Sequence, residues 1–261
     1  LGVEAQAGLS FEHPNLARVY KTDLVYMEGS GHYRPILLVE YEYVDGKTFR
    51  HVMDWLQSKN KLMNPLTVLY FLYHIADGMQ YAHEAKHVIH RDLKPHNLML
   101  QFNYQPKVID WGFAFRENLS HQKGAGKDRL TDSGVAVIGT LGYTPGELGH
   151  GTLSAATWAT DVFSLGIILH EWLTGTKKIV FPGTPLYHEM KHESPVDYIS
   201  EHIKAGRIHL VARHLNEHLH HNPYLMKIAP VDREAVIQSL EKLILDAIQQ
   251  EQERRARTRL R

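Results

Sequence analysis

The chain has 261 residues, 43% of them hydrophobic, enough to bury one large core or two unequal lobes, and nothing in it suggests a string of small modules. Lys plus Arg and Asp plus Glu each number 29, so the formal net charge is zero and no global field would hold the chain on nucleic acid or an anionic membrane. Cysteine is absent, which removes disulfides and thiolate chemistry and makes the cytoplasm the expected compartment, and no apolar run approaches the roughly 20 residues of a membrane span.

Residues 1–9 are compatible with the end of a helix, broken at His13-Pro14-Asn15 because proline disfavours helical geometry in the residue before it. Residues 19–27 and 36–43 are rich in β-branched and aromatic side chains and predict two strands. Gly29-Ser30-Gly31-His32 between them reads as a hairpin connection, and Asp45-Gly46 as the end of the second strand. From Phe49 the apolar spacing becomes helical. Leu66, Leu69, Phe71, Leu72, Ile75, Met79 and Tyr81 predict one face of a long helix ending near His83. Residues 161–173 predict a second, strongly apolar helix closed by Thr174-Gly175, and residues 233–250 an amphipathic one. Between Asp110 and Glu147 runs a long polar stretch, a length that in a compact domain marks a functional or disordered segment. Strands first and helices afterwards predict an α+β protein with a small sheet-containing lobe and a larger helical one.

The densest chemical signal is His90-Arg91-Asp92-Leu93-Lys94-Pro95-His96-Asn97, followed by Val108-Ile109-Asp110-Trp111-Gly112. Two carboxylates, an amide and a lysine fall on two loops. Phosphoryl transfer needs that set: oxygens to hold Mg²⁺, a carboxylate to orient the attacking hydroxyl, and a cation beside the phosphate in flight.

On these residues the chain resembles the protein kinase family, of the serine/threonine type and in the bacterial style, over nearly its whole length. The resemblance implies the two-lobe kinase fold, with residues 1–44 a remnant of the small lobe and residues 45–261 the large lobe. It implies transfer of the ATP γ-phosphate to a serine or threonine hydroxyl of a protein substrate, with ATP and Mg²⁺ bound. Asp92 would accept the hydroxyl proton, Asn97 and Asp110 would hold Mg²⁺, and Lys94 would meet the γ-phosphate. Thr140, after Gly139, would bond Asp92 and Lys94. His90, Arg91, Trp111 and Gly112 would complete the two motifs structurally. Glu147 would pair with Arg255, and Asp161, at the start of its helix, would accept backbone N–H groups of the catalytic loop. Glu42-Tyr43-Val44 would form the hinge that reads adenine, with Tyr41 as gatekeeper. Glu4 would pair with an ATP-binding lysine that is expected, with the glycine-rich loop, upstream of Leu1, so the 261 residues alone are expected to be weakly active or inactive.

Two departures from the family pattern carry expectations. The second motif reads Asp-Trp-Gly, and Gly8 stands where a large apolar residue is usual, so Trp111 is expected to fill the volume Gly8 leaves. Arg91 beside the catalytic aspartate suggests switching by phosphorylation at Thr131 or Ser133, with Ser120 behind them. Other readings are a pseudokinase that serves as a binding scaffold and, more remotely, a zinc peptidase through His188-Glu189-Met190-Lys191-His192, a pattern that 19 histidines make easy to produce by chance. The cluster His214, His218, His220 and His221 reads as a solvated helix face, and the run from Arg254 to Arg261 as a helix end.

Overall fold

The computed structural model describes residues 11–29, 32–112, 114–116, 140, 142–145, 156–175 and 215–249. Strands β1 (Val19–Gly29) and β2 (His32–Tyr41) pair antiparallel, with Thr22 opposite Val39 and Val25 opposite Ile36. The second strand starts earlier and stops two residues sooner than its composition predicts. Residues 42–45 leave the ladder because Glu42 is held elsewhere: its N–H donates to Arg18 O, and its carboxylate accepts from Lys107 and from Arg18 N.

Gly46 opens a strand rather than closing one. β3 (Gly46–Thr48) pairs antiparallel with β5 (Leu98–Gln101), and β5 with β6 (Pro106–Val108). At Gly46 the two backbones approach so closely that a Cβ would stand 2.1 Å from Leu100 O, which only glycine permits. A further pair joins β4 (Val88–Ile89) to β7 (Phe115–Arg116). These two- to four-residue strands interrupt the helical part of the chain. They are too short for an alternation pattern to register.

Helix α1 (Phe49–Ser58) is capped by Thr48, whose hydroxyl accepts His51 N–H at 3.2 Å. Helix α2 (Pro65–Lys86) begins with Asn64 as cap and Pro65 in the first turn, where a missing N–H costs nothing, and ends at His87 in a left-handed conformation. Helix α3 (Trp158–Thr174) is buried at every position from Ala159 to Thr174, so it forms the axis of the helical part. It starts three residues before Asp161, with Thr157 N–H donating to Thr160 Oγ1. Helix α4 (Pro230–Ile248) crosses α3 so tightly that a Cβ at Gly166 would lie 2.7 Å from Ala247 Cβ. Phe49, Phe71 and Trp172 join α1, α2 and α3 through ring contacts of 4.3–6.0 Å. The resulting core also includes Leu16, Ile75, Leu98, Val108 and Ile168, and Leu93 seats the segment from His90 to Asn97 in it.

Candidate active site

The loop from His90 to Asn97 connects β4 to β5, and the short segment 109–114 connects β6 to β7. Because Leu98 faces Val108 in the ladder, the residues just outside that pair are forced together, and Ile109 N–H donates to Asn97 O at 2.9 Å. Asn97 and Asp110 are thereby brought to one end of the β5–β6 pair of the three-stranded sheet.

Asp92 is 3% exposed and is the centre of the polar contacts. Lys94 Nζ donates to its Oδ2 at 2.7 Å and Thr140 Oγ1 to its Oδ1 at 2.7 Å, while Lys94 Nζ also reaches Thr140 Oγ1 at 2.8 Å. Asn97 Nδ2 donates to Asp92 O at 2.9 Å and to its Oδ2 at 3.2 Å. That orients the amide so that its Oδ1, which takes no hydrogen bond among the described residues, remains an acceptor. Asp110 is exposed, and its Oδ1 accepts Gly112 N–H at 3.2 Å. An amide oxygen and a carboxylate at adjoining positions are hard oxygen donors of the kind Mg²⁺ takes, so this pair fits that ion.

The loop holds this shape against backbone cost. Arg91 has φ +66° and Asp110 φ +60°, a left-handed region that non-glycine residues seldom occupy and that persists where surroundings over-determine it. For Arg91 the restraint is Asp161, fully buried, which accepts His90 N–H and Arg91 N–H at 2.9 Å each and the ring of His83 at 2.7 Å. Burial by itself would raise the Asp161 carboxyl, yet His83 and the N–H donors outweigh it and hold the group below the ordinary carboxylate range. His90 Nδ1 accepts Asp92 N–H at 3.3 Å, so the ring carries its proton on Nε2, which donates to Ile109 O at 3.1 Å and ties the two loops together. Full burial pushes this imidazole well below its usual value.

Trp111, 1% exposed, packs between Phe11 (centroids 4.3 Å) and His90 (4.7 Å). Gly8, whose volume it is expected to fill, lies outside the described residues. So do Glu4, Glu147, Arg255, Thr131, Ser133, Ser120, His214 and the motif His188, Glu189 and His192. Tyr43 is 84% exposed and Val44 buried, while the Glu42 side chain turns inward to Lys107.

Sequence reasoning missed four residues here. His83 bonds the Asp161 carboxylate that holds the first loop, Lys107 ties Glu42 and Leu16 to β6, and Arg50 and Glu171 form an ion pair at 2.8 Å beside Tyr143. None lies within a motif. Only their charge at otherwise apolar helix and strand positions could have flagged them.

Two loops from two strand pairs thus meet beside a buried helix, with Asp92 and Asn97 bonded on one and Asp110 on the other. The model of the protein kinase domain family matches residues 3–258, and the chain belongs to this family. Bacterial serine/threonine-protein kinases are among the proteins it is similar to. The chain is similar to serine/threonine-protein kinase PrkC of Bacillus subtilis, with 30% identity over 77% of this chain and 26% of the relative. Similarity to serine/threonine-protein kinase PknB of Mycobacterium tuberculosis is 30% over 81% of this chain and 29% of the relative. A probable serine/threonine-protein kinase of Streptomyces coelicolor is 36% identical over 66% of this chain and 23% of the relative. The chain thus spans between about a quarter and three tenths of the length of these relatives.

Proposed function

We propose that the protein transfers the γ-phosphate of ATP to serine or threonine hydroxyls of a protein substrate. The carrying observation is the convergence on Asp92: a buried carboxylate receives Lys94, Thr140 and Asn97 in one cluster, with Asp110 at the adjoining loop. Asp92 accepts the hydroxyl proton, its carboxylate oriented by Thr140 on Oδ1 and by Lys94 and Asn97 on Oδ2. Lys94 is a cation at the position where charge develops on the transferring group. Asn97 Oδ1 and Asp110 hold Mg²⁺, which when bound neutralises phosphate charge. The backbone of Glu42-Tyr43-Val44 reads adenine, supported by the exit of residues 42–45 from the β2 ladder, after which the Tyr43 and Val44 peptide groups take no backbone hydrogen bond among the described residues. Residues 1–44 serve as small-lobe sequence and residues 45–261 as the large lobe. Among the described residues no helix is long and apolar enough to cross a membrane, and a cytoplasmic site of action is part of this proposal.

The test is γ-phosphate transfer to serine- and threonine-containing peptides by the purified protein and its Asp92→Asn variant. The variant should keep nucleotide binding and lose about 10²–10⁴-fold in kcat. An undiminished rate in Asp92→Asn would remove the assignment.

A further inference from the structure

Between α1, the segment 60–63 and the last turn of α3 lies a cavity of about 200 Å³, well above the roughly 30 Å³ that one water takes. Met53, Leu56, Leu62 and Met63 give it an apolar wall, and Arg50 and Trp172 bring polar groups to it. Trp172 is 3% exposed, and its indole Nε1–H meets no acceptor among the described residues. Arg50 Nε, also buried, has none there either. The other two guanidinium nitrogens are taken, Nη1 by Glu171 and Nη2 by Asp54, at 2.8 Å each. Two buried donors left without a protein acceptor at one cavity are exceptional in a folded chain and call for an oxygen from outside it.

The charges around the cavity cancel. Arg50 and Lys61 stand against Glu171 and Asp54, and the Glu171 carboxylate is already shared between Arg50 and the Tyr143 hydroxyl. Neither an anion nor a cation gains there, whereas a neutral carbonyl oxygen with an apolar group beside it matches both the donors and the wall. The wall is preformed: segment 60–63 is seated on the end of α3, where Gly175 has φ +69° and a Cβ on it would stand 2.7 Å from Leu62 Cδ2. Arg50 also places the cavity. Its backbone N–H donates to Pro95 O at 3.0 Å, and Pro95 lies three residues after Asp92. At about 3.3 Å per extended residue, a peptide whose hydroxyl lies at Asp92 reaches the cavity within about six residues of its acceptor.

We propose that this cavity is a docking pocket for the protein substrate. It takes one uncharged apolar side chain of the size of Leu or Met, within about six residues of the acceptor, and Trp172 Nε1–H donates to the carbonyl oxygen of that residue. The inference rests on the reading of Asp92 given above and names what that reaction selects in its substrate. Such a contact is made equally before and during phosphate transfer, so it lowers KM and leaves kcat unchanged. The competing occupant is ordered water, which satisfies the two donors but leaves the enzyme indifferent to apolar residues in the substrate.

The test is a scan in which Leu replaces Ala, one position at a time, over about six residues on each side of the serine in a fluorescein-labelled, alanine-based peptide. Kd is read by anisotropy, which needs no turnover, and KM and kcat by phosphate transfer. Leu at one position should tighten Kd and lower KM by about 10-fold or more, with kcat within about 2-fold, and Glu or Lys at the same position should do neither. Trp172→Phe, which keeps an aromatic ring but removes the N–H, should reduce the Leu-over-Ala ratio by about 3-fold or more. Leu62→Gln, at a half-buried position, should bring that ratio to about 1. A ratio cancels any general loss of folding or activity, and Leu62→Gln is decisive if Trp172→Phe unfolds. A flat scan, or a ratio that both variants keep, would overturn the inference and leave water as the occupant. Peptides that bind with the Leu preference but receive no phosphate would instead remove the proposed function.

Discussion

The Asp161 carboxylate accepts the backbone N–H of Arg91 at 2.9 Å, and Arg91 is one of the residues of the catalytic loop with a left-handed φ. A conformation that costs on the order of 1–3 kcal/mol is kept by a buried acceptor on a helix that cannot move without opening the core. Asp161→Asn removes the charge, leaves the amide with fewer lone pairs than its three donors need, and places an NH₂ group against one of them. The expected cost is about 3–5 kcal/mol, the scale for removing one member of a buried charged contact, read as a lower midpoint in urea unfolding. Activity should fall with it, since Asp92 follows Arg91 directly. A variant with unchanged midpoint and rate would show that the loop holds its shape without Asp161.

His90 gives a pH dependence with a definite sign. Burial disfavours its imidazolium and outweighs the attraction of Asp161, so the folded protein resists protonating a group that the unfolded chain protonates near 6.5. Stability from this residue is complete above about 6.5 and is lost as pH falls from there toward the depressed folded value. His13 and His96, also lowered by burial, act in the same direction, so the contribution of His90 must be isolated by substitution. His90→Asn retains an acceptor for Asp92 N–H but does not titrate. Unfolding free energies measured at several pH values between 7.5 and 5.5 should fall more steeply for the native protein, by up to about 1.4 kcal/mol per pH unit. Parallel slopes would refute the assignment.

What the sequence made legible was which polar side chains stand together. Asp92, Lys94 and Asn97 fall in one short motif and bond one another, and the antiparallel pairing of β5 with β6 shows physically why Asn97 and Ile109 come into contact, with Asp110 next in line. The long helices were legible because α2 and α3 carry enough turns for their period and length to show. The shortest strands were not, since β4 and β3 depend on partners far along the chain, Val88 opposite Arg116 at 28 positions and Gly46 opposite Gln101 at 55. The supporting charges were hidden for the same reason. Nothing local ties Arg50 to Glu171, 121 residues apart, and only the crossing of α1 over α3 makes them a pair.

Lys107 and Glu42 offer a test of how residues 42–45 are held. Lys107 Nζ lies 2.8 Å from Glu42 Oε1, with the lysine side chain 10% and the glutamate 20% exposed, and the same carboxylate accepts Arg18 N–H. The pair joins the end of β2 to the strand that leads into Asp110. Lys107→Met should cost about 1–3 kcal/mol by leaving a mostly buried carboxylate without its cation. Combining Lys107→Glu with Glu42→Lys should yield a protein at least about 1 kcal/mol more stable than the two single changes predict by addition. Thermal unfolding of the four proteins in the cycle measures this, and simple additivity would mean the ion pair contributes nothing beyond its separate side chains.

Trp111 tests whether the second motif is tuned by packing volume. The indole is 1% exposed, pressed between Phe11 and His90, and its Nε1 has no hydrogen-bond partner among the described residues. Replacing it with Phe therefore sacrifices no hydrogen bond there, only contact area and volume. Truncation of a buried Trp to Ala costs about 3–5 kcal/mol, so the smaller change to Phe should cost about 1–2 kcal/mol. The loss should reach the chemistry as well, because His90 packs on this ring and bridges Asp92 N–H to Ile109 O, next to Asp110. Trp111→Phe should lower both the melting temperature and kcat. A melting temperature and rate equal to those of the native protein would mean that a phenyl ring fills the site equally well, and that the tryptophan answers no packing demand there.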